Sequence, residues 1–236
     1  MSLNGIDISR WQTGINLSSI NGLDFSICKA TQGTSYAQSY IDEFHEQIKV
    51  CQANGILYGA YHYINGSGAK AEAEYFLNTV NDYLYKAVLC IDWEKTDNGA
   101  WQREDYLEEL GLYIQNQTGV KPIVYASHAY FPWDVCQDNG WGEWVAQYAT
   151  TTIVNGFQST PWNEGAYSCA IRQYSGNGRL SGYSGAIDLD KAYMTREAWG
   201  RYANPNGAAQ AGEPETPGEV DLGTYHIEGD ITITKK

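Results

Sequence analysis

The order of short apolar runs constrains this chain more than any other feature. Residues 5–8, 25–31, 57–64, 88–94 and 122–127 are brief, apolar and rich in β-branched or aromatic side chains, the pattern of strands buried in a sheet. Helical periodicity fills the later gaps between them. Ile41, Phe44, Ile48 and Cys51 form one stripe that Gly55 stops. Phe76, Leu77, Val80 and Leu84 form a second, with Ser67 as its expected cap. Tyr106, Leu107, Leu110, Tyr113 and Ile114 form a third that runs to Gly119. A hydroxyl before a stripe and a glycine after it are the usual helix boundaries. Strands and helices alternating in this way predict a parallel sheet.

After residue 140 the rhythm changes. Residues 144–148, 170–175 and 187–189 read as strands, but the segments joining them are rich in Gly, Ser, Thr and Asn and carry no helical stripe. Eight strands with helices mainly in the first half predict an α/β chain folded as an irregular TIM-like (β/α) barrel. An open doubly wound sheet is the alternative; without GxGxxG or GxxxxGK[ST] its nucleotide-binding forms lose ground. Composition breaks near residue 204. Residues 204–223 hold three prolines and no aromatic side chain, too little apolar surface to order a segment. The reading is therefore a barrel over 1–203, a Pro/Gly/Glu linker over 204–223 and a β-hairpin over 224–236, where Tyr225, Ile227, Ile231 and Ile233 alternate around Gly229-Asp230.

Charge and composition remove several function classes. The 236 residues include 15 Lys and Arg against 28 Asp and Glu, a net charge of −13, which opposes binding to nucleic acid. The apolar runs fall far short of the roughly 20 residues of a membrane span. Five cysteines without a CxxC pair read as buried free thiols. No charged region followed by an apolar one opens the chain, so synthesis in a reducing cytoplasm is expected, although Met1-Ser2-Leu3 could replace a removed leader. The 19 Tyr and 8 Trp suit either sugar-stacking surfaces or ordinary half-buried positions.

The strand at 88–94 ends in Asp92 and Glu94. Side chains alternate along a strand, so these two acids share a face with Cys90, opposite Leu89, Ile91 and Trp93. In a barrel, that face opens at the carboxyl end, where active sites are built. Two carboxylates in a half-buried mouth raise one another's affinity for protons toward the range of a general acid. The other reading is a pair that accepts loop N–H groups or an arginine. Asp7 in the first strand, and Asp188 or Asp190 in the last, can meet the same mouth. Such a cluster suits glycoside hydrolysis or a divalent cation. Four histidines without HxH or HExxH argue against zinc, leaving an all-carboxylate Mg or Ca site as the metal alternative. His62, in the third strand, reads as a core histidine or as a ligand or proton carrier. Without GxSxG, acyl chemistry is disfavoured.

Seven segments in order carry a resemblance: GIDISRWQ (5–12), KATQG (29–33), GAYHY (59–63), IDWE (91–94), VYAS (124–127), RQYS (172–175) and IDLD (187–190). Over about residues 4–200 the chain resembles the glycoside hydrolase family 25 lysozymes, the Chalaropsis-type N-acetylmuramidases that include phage endolysins. The resemblance implies a β/α barrel with a helix-poor second half that hydrolyses the β-1,4 bond between N-acetylmuramic acid and N-acetylglucosamine with retention. It implies Glu94 as general acid, Asp92 as nucleophile or as the group orienting the substrate's own acetamide, and Asp7 and Asp188 as the remaining acids. Tyr61, Tyr125, Trp144, Tyr148 and Gln173 match the family's substrate-binding positions. Members usually read KATEG where Gln32 stands, and Trp-Gln-Tyr where Arg172-Gln173-Tyr174 stands, so altered subsite charge or stacking is expected. The expected partner is bacterial peptidoglycan, met by a monomer released through lysis or export, with no cofactor and no metal. The hairpin would then either pack on the barrel or begin a wall-binding module. A non-catalytic glycan-binding barrel and a carboxylate-metal hydrolase are the competing classes.

Overall fold

In the computed structural model, which describes residues 2–207, the alternation becomes a run of parallel strands. Strand β1 (Leu3–Ile8) is followed by two single 3-10 turns rather than a helix, then by β2 (Phe25–Gln32), α1 (Gln38–Asn54), β3 (Leu57–Tyr63), α2 (Ala69–Thr79), β4 (Val88–Asp92), α3 (Glu104–Thr118), β5 (Ile123–Ser127), a short α4 (Trp133–Asn139) and β6 (Gly142–Ala146). The helix stops fall where the glycines predict. Gly55 and Gly119 both adopt left-handed backbone, with φ of 66° and 72°, and return their N–H groups to the last turn. Ser67 is not the cap of α2. Gly68 stands there instead, and the backbone N–H of Ser67 is taken by the Glu72 carboxylate at 2.7 Å.

The second half is built from a two-residue strand β7 (Val154–Asn155), a long hairpin of β8 (Ile171–Leu180) and β9 (Tyr183–Ala192), and α5 (Arg196–Ala203). Strands β1 to β6 and β8 are parallel to their neighbours, whereas β9 runs antiparallel to both β8 and β1 and closes the barrel between them. The expectation of a wholly parallel sheet is corrected here: a two-residue turn cannot return a strand parallel to its predecessor. The eight-stranded barrel is closed, and β7 is a ninth strand laid against the outer half of β8. At the hairpin turn, Gly182 has φ 101°, and a Cβ there would fall 2.2 Å from the Ser19 carbonyl oxygen, so the tip sits directly on the turn that follows β1.

Two apolar layers hold the barrel. Outward-facing Ile6, Ile8, Cys28, Ala60, Leu89, Ile91, Val124 and Leu189 pack beneath Phe44 and Ile48 of α1, Phe76 of α2 and Leu107 and Leu110 of α3. Inward-facing Phe25, Ile27, Val88, Cys90 and Ile123 fill the lower lumen together with Trp199 of α5, whose ring centroid lies 4.7 Å from that of Phe25. Helix α5 has no counterpart in the sequence reading. Gly5 makes this plug possible, since a Cβ there would lie 2.1 Å from the Phe25 ring. With the lower lumen filled, the cavity remains only at the upper end. Four of the cysteines are buried and free, and Cys169 is half-buried and free. The hairpin over 224–236 and all but the first four residues of the 204–223 linker lie outside the described residues.

Candidate active site

Every strand of the closed barrel, or the loop after it, contributes to a cleft of about 270 Å³ at the upper end. All nine residues singled out from the sequence line it: Asp7, Asp92, Glu94 and Asp188, with Tyr61, Tyr125, Trp144, Tyr148 and Gln173. Strand direction decides which acid of the last strand reaches the mouth. Because β9 runs downward, Asp188 pairs with Asp7 near the rim, and Asp190 pairs with Gly5 one layer below. A parallel last strand would have reversed the two.

Glu94 lies just past the end of β4 and is half-buried. Its backbone is fixed on both sides: the Trp93 N–H donates to the Tyr125 carbonyl at 2.8 Å, and Asn98 Nδ2 donates to the Glu94 carbonyl at 2.9 Å. Burial raises the Glu94 carboxyl above its ordinary range, against the opposing pull of the Tyr125 hydroxyl and the Lys29 charge. Asp92 is buried and raised well above its usual value, by burial first and by the Glu94 charge second, with Lys29 opposing. Its Oδ1 has no hydrogen-bond partner in the protein. Burial, followed by the charges of Asp7 and Glu94, pushes Asp188 up to about 8. The two-carboxylate expectation is thus met in direction, with loss of water outweighing mutual repulsion.

A polar chain forms the floor. Gln173 Nε2 donates to Asp7 Oδ2 at 2.6 Å, while Gln173 Oε1 accepts from the hydroxyls of Tyr125, at 2.8 Å, and Tyr148. Trp144 is almost fully buried, its ring edge-on to Tyr125 at 4.7 Å, so it supports the floor rather than offering a stacking face.

Four lining residues were missed: Ser9, Trp11, Lys29 and Tyr63. Trp11 is 76% exposed, and its loop is pinned by a capping box between Ser9 and Gln12. The quoted GIDISRWQ and KATQG segments contain Ser9, Trp11 and Lys29, but a reading confined to strand-end acids and aromatics passes over them. Lys29 donates to Gln32 Oε1 at 2.9 Å and lies 4.3 Å from the Tyr63 ring centroid; burial pulls its ammonium down to about 8 despite the attraction of Asp92. The Gln32 departure therefore bears on the cleft through Lys29. The Arg172 departure does not, because Arg172 is 2% exposed and donates to the Asn163 carbonyl and to Gln147 on the far side of β8. His62 is a core residue on the helix-facing side of β3, bonded to Thr31 Oγ1 at 2.8 Å and Glu72 Oε2 at 2.9 Å.

A closed barrel whose mouth is lined by carboxyl groups and aromatic rings, on a scale that accepts a sugar ring, has the anatomy of a glycoside hydrolase. Comparison with known proteins specifies the family: "Glycosyl hydrolases family 25" matches residues 6–183. Lysozyme M1 of Streptomyces globisporus is 30% identical over 212 residues, covering 79% of this chain and 66% of that protein. YegX of Escherichia coli K12, an uncharacterised protein, is 30% identical over 200 residues, covering 80% and 69%. The crystal structure of the bacterial lysozyme from Streptomyces coelicolor superposes with a TM-score of 0.64 at 26% identity, over 86% of this chain and 97% of that one. The chain belongs to glycosyl hydrolase family 25. It is a glycoside hydrolase of the lysozyme kind.

Proposed function

We propose that this enzyme is a retaining N-acetylmuramidase that cuts the β-1,4 bond between N-acetylmuramic acid and N-acetylglucosamine in peptidoglycan. Glu94 is assigned as the proton donor. Its half-buried carboxyl, raised in affinity for protons, delivers a hydrogen to the leaving O4 and then, ionised, draws one from the attacking water. The observation that carries the assignment of its partner is Asp92 Oδ1, a buried acceptor in the cleft wall that no protein group satisfies. The substrate's acetamido N–H completes that site. Held there, the acetamide turns its carbonyl oxygen toward C1, displaces the leaving sugar from below and forms a cyclic oxazolinium that water opens with net retention. Asp188 in its ionised form supplies negative charge beside the cation that develops. Tyr61, Tyr125, Tyr148 and Gln173 form the bed for the sugar rings, with Trp144 supporting it from beneath.

Mass spectrometry of the fragments released from purified walls tests this reading. New muramic acid reducing ends are expected; new glucosamine reducing ends, or amide cleavage, would overturn it. NMR of the first-formed anomer separately tests retention. The place of action is the bacterial cell wall. Among the described residues no helix is long and apolar enough to cross a membrane.

A further inference from the structure

Asp190, the second acid of the IDLD segment, takes no part in the reaction just described, yet it is fully buried beneath the cleft. Its Oδ1 accepts from Trp144 Nε1 at 2.8 Å. Its Oδ2 is buried and meets no N–H or O–H donor. The acid next to Asp190, one layer above it in the lumen, is Asp7, whose own Oδ2 is held by Gln173 Nε2 at 2.6 Å. Two ionised carboxylates cannot rest in contact where water is excluded, and a buried acceptor without a hydrogen is costly. One proton answers both.

We propose that Asp190 is a positioning residue that shares a single proton with Asp7 across the floor of the cleft, keeping Asp7 a neutral donor beneath the reacting acids. The inference rests on the muramidase reading only for its effect on rate. Each carboxyl of the pair receives one N–H, Asp190 from Trp144 and Asp7 from Gln173, but Asp7 stands beside both Asp188 and Glu94 and would repel both if charged, so the proton belongs on Asp7. Burial raises Asp7 well above its usual range, followed by the Asp190 charge, and raises Asp190 to about 8. The titratable groups around the pair are Asp92, Glu94 and Cys90 from β4 and its end, Tyr61 from β3 and Tyr125 from β5. Cys28 of β2, Tyr148 after β6, Tyr174 of β8 and Asp188 of β9 complete the set. All are acids, thiols or phenols; the cation of the cleft, Lys29, acts on Asp92 and Glu94.

Replacing Asp190 by Asn tests the shared proton, since the amide oxygen can keep the Trp144 bond while Nδ2–H donates to an ionised Asp7. Infrared spectra of the substrate-free enzyme at pH 7 should lose one buried protonated-carboxyl C=O band in Asp190→Asn. Asp7→Asn should lose the same band, so the test survives if one variant fails to fold. Retention of the wild-type bands in a folded variant would overturn the proposal. Because no substrate is present, this arm stands even if the muramidase reading fails. With Asp7 charged, Asp188 and Asp92 should hold their protons to higher pH, moving the acid limb of kcat/KM in Asp190→Asn up by about one unit. A uniform fall in rate with the limb unmoved would mark a merely structural role and reject the proposal.

Discussion

Glu94, unlike the buried Asp7 and Asp92, is only half-buried, so it can exchange protons with water between the two halves of a reaction cycle. Glu94→Gln keeps the volume but has no proton to give, and kcat should fall by at least the roughly 10²–10⁴-fold worth of general-acid catalysis, with the melting temperature close to wild type. Wild-type turnover in the folded variant would remove Glu94 from the reaction. Asp92→Asn and Asp188→Asn should both slow hydrolysis, for different reasons. The first retains an acceptor oxygen but loses the charge that polarises the acetamide; the second loses charge beside the developing cation. Full rates in both, measured on soluble glycan fragments, would place the chemistry elsewhere in the cleft.

At the scale of elements, the loop between β3 and α2 depends on one buried carboxylate. Glu72 accepts from the backbone N–H groups of Asn65, Gly66 and Ser67 at 3.1, 2.9 and 2.7 Å, from the Tyr106 hydroxyl at 2.5 Å and from His62 Nε2 at 2.9 Å. Burial works to raise its affinity for protons, but these bonds prevail and lower it. The Asn65 carbonyl in turn holds the Gly99 N–H at 2.9 Å, in the loop that carries Glu94. Glu72→Ala should destabilise the fold by a few times the roughly 1–3 kcal/mol cost of one buried donor left unsatisfied, with Glu72→Gln milder; urea unfolding measures both. Expecting Ser67 as the cap failed because a hydroxyl is a local signal, whereas this carboxylate reaches back from inside the helix. Strands β1 to β6 and helices α1 to α3 were legible because burial imposes their period directly on the chain. The direction of β9 was not, since a Gly-rich join fixes no hand, and nothing local in Arg196–Ala203 announces that Trp199 plugs a lumen. All four acids were readable as strand-end residues. Lys29 was not singled out, because its role follows from which side chains surround it and not from its own segment.

For the molecule as a whole, charge makes stability depend on pH. Asp188 is pushed up to about 8 in the fold, against 3.8 as its ordinary value, and the Asp7–Asp190 pair keeps its shared proton, so the native state holds protons that the unfolded chain has released. Stability should therefore fall as pH rises from about 4 to about 8, and the net charge of −13 acts in the same direction. Scanning calorimetry should show a shallower fall in Asp188→Asn; an unchanged slope would mean that this carboxyl is ionised throughout. The domain boundary has its own test. Deleting residues 208–236 should leave turnover on soluble fragments nearly unchanged, since the described side chains that line the cleft, from Asp7 to Asp188, close it from all sides of the barrel, and loss of folding would show that the tail packs on the barrel. The closure of the barrel by β9 reaches further. Asp7 meets Gln173 across 166 residues of sequence, and the strand that brings Asp188 beside it is among the last parts of the barrel to be synthesised. Contacts of such long range form late in folding. While the chain is still growing, β1 has no partner on one side and the mouth lacks two of its walls, so the cleft is assembled only after β9 has been made, and a chain arrested before β9 should have no complete cleft.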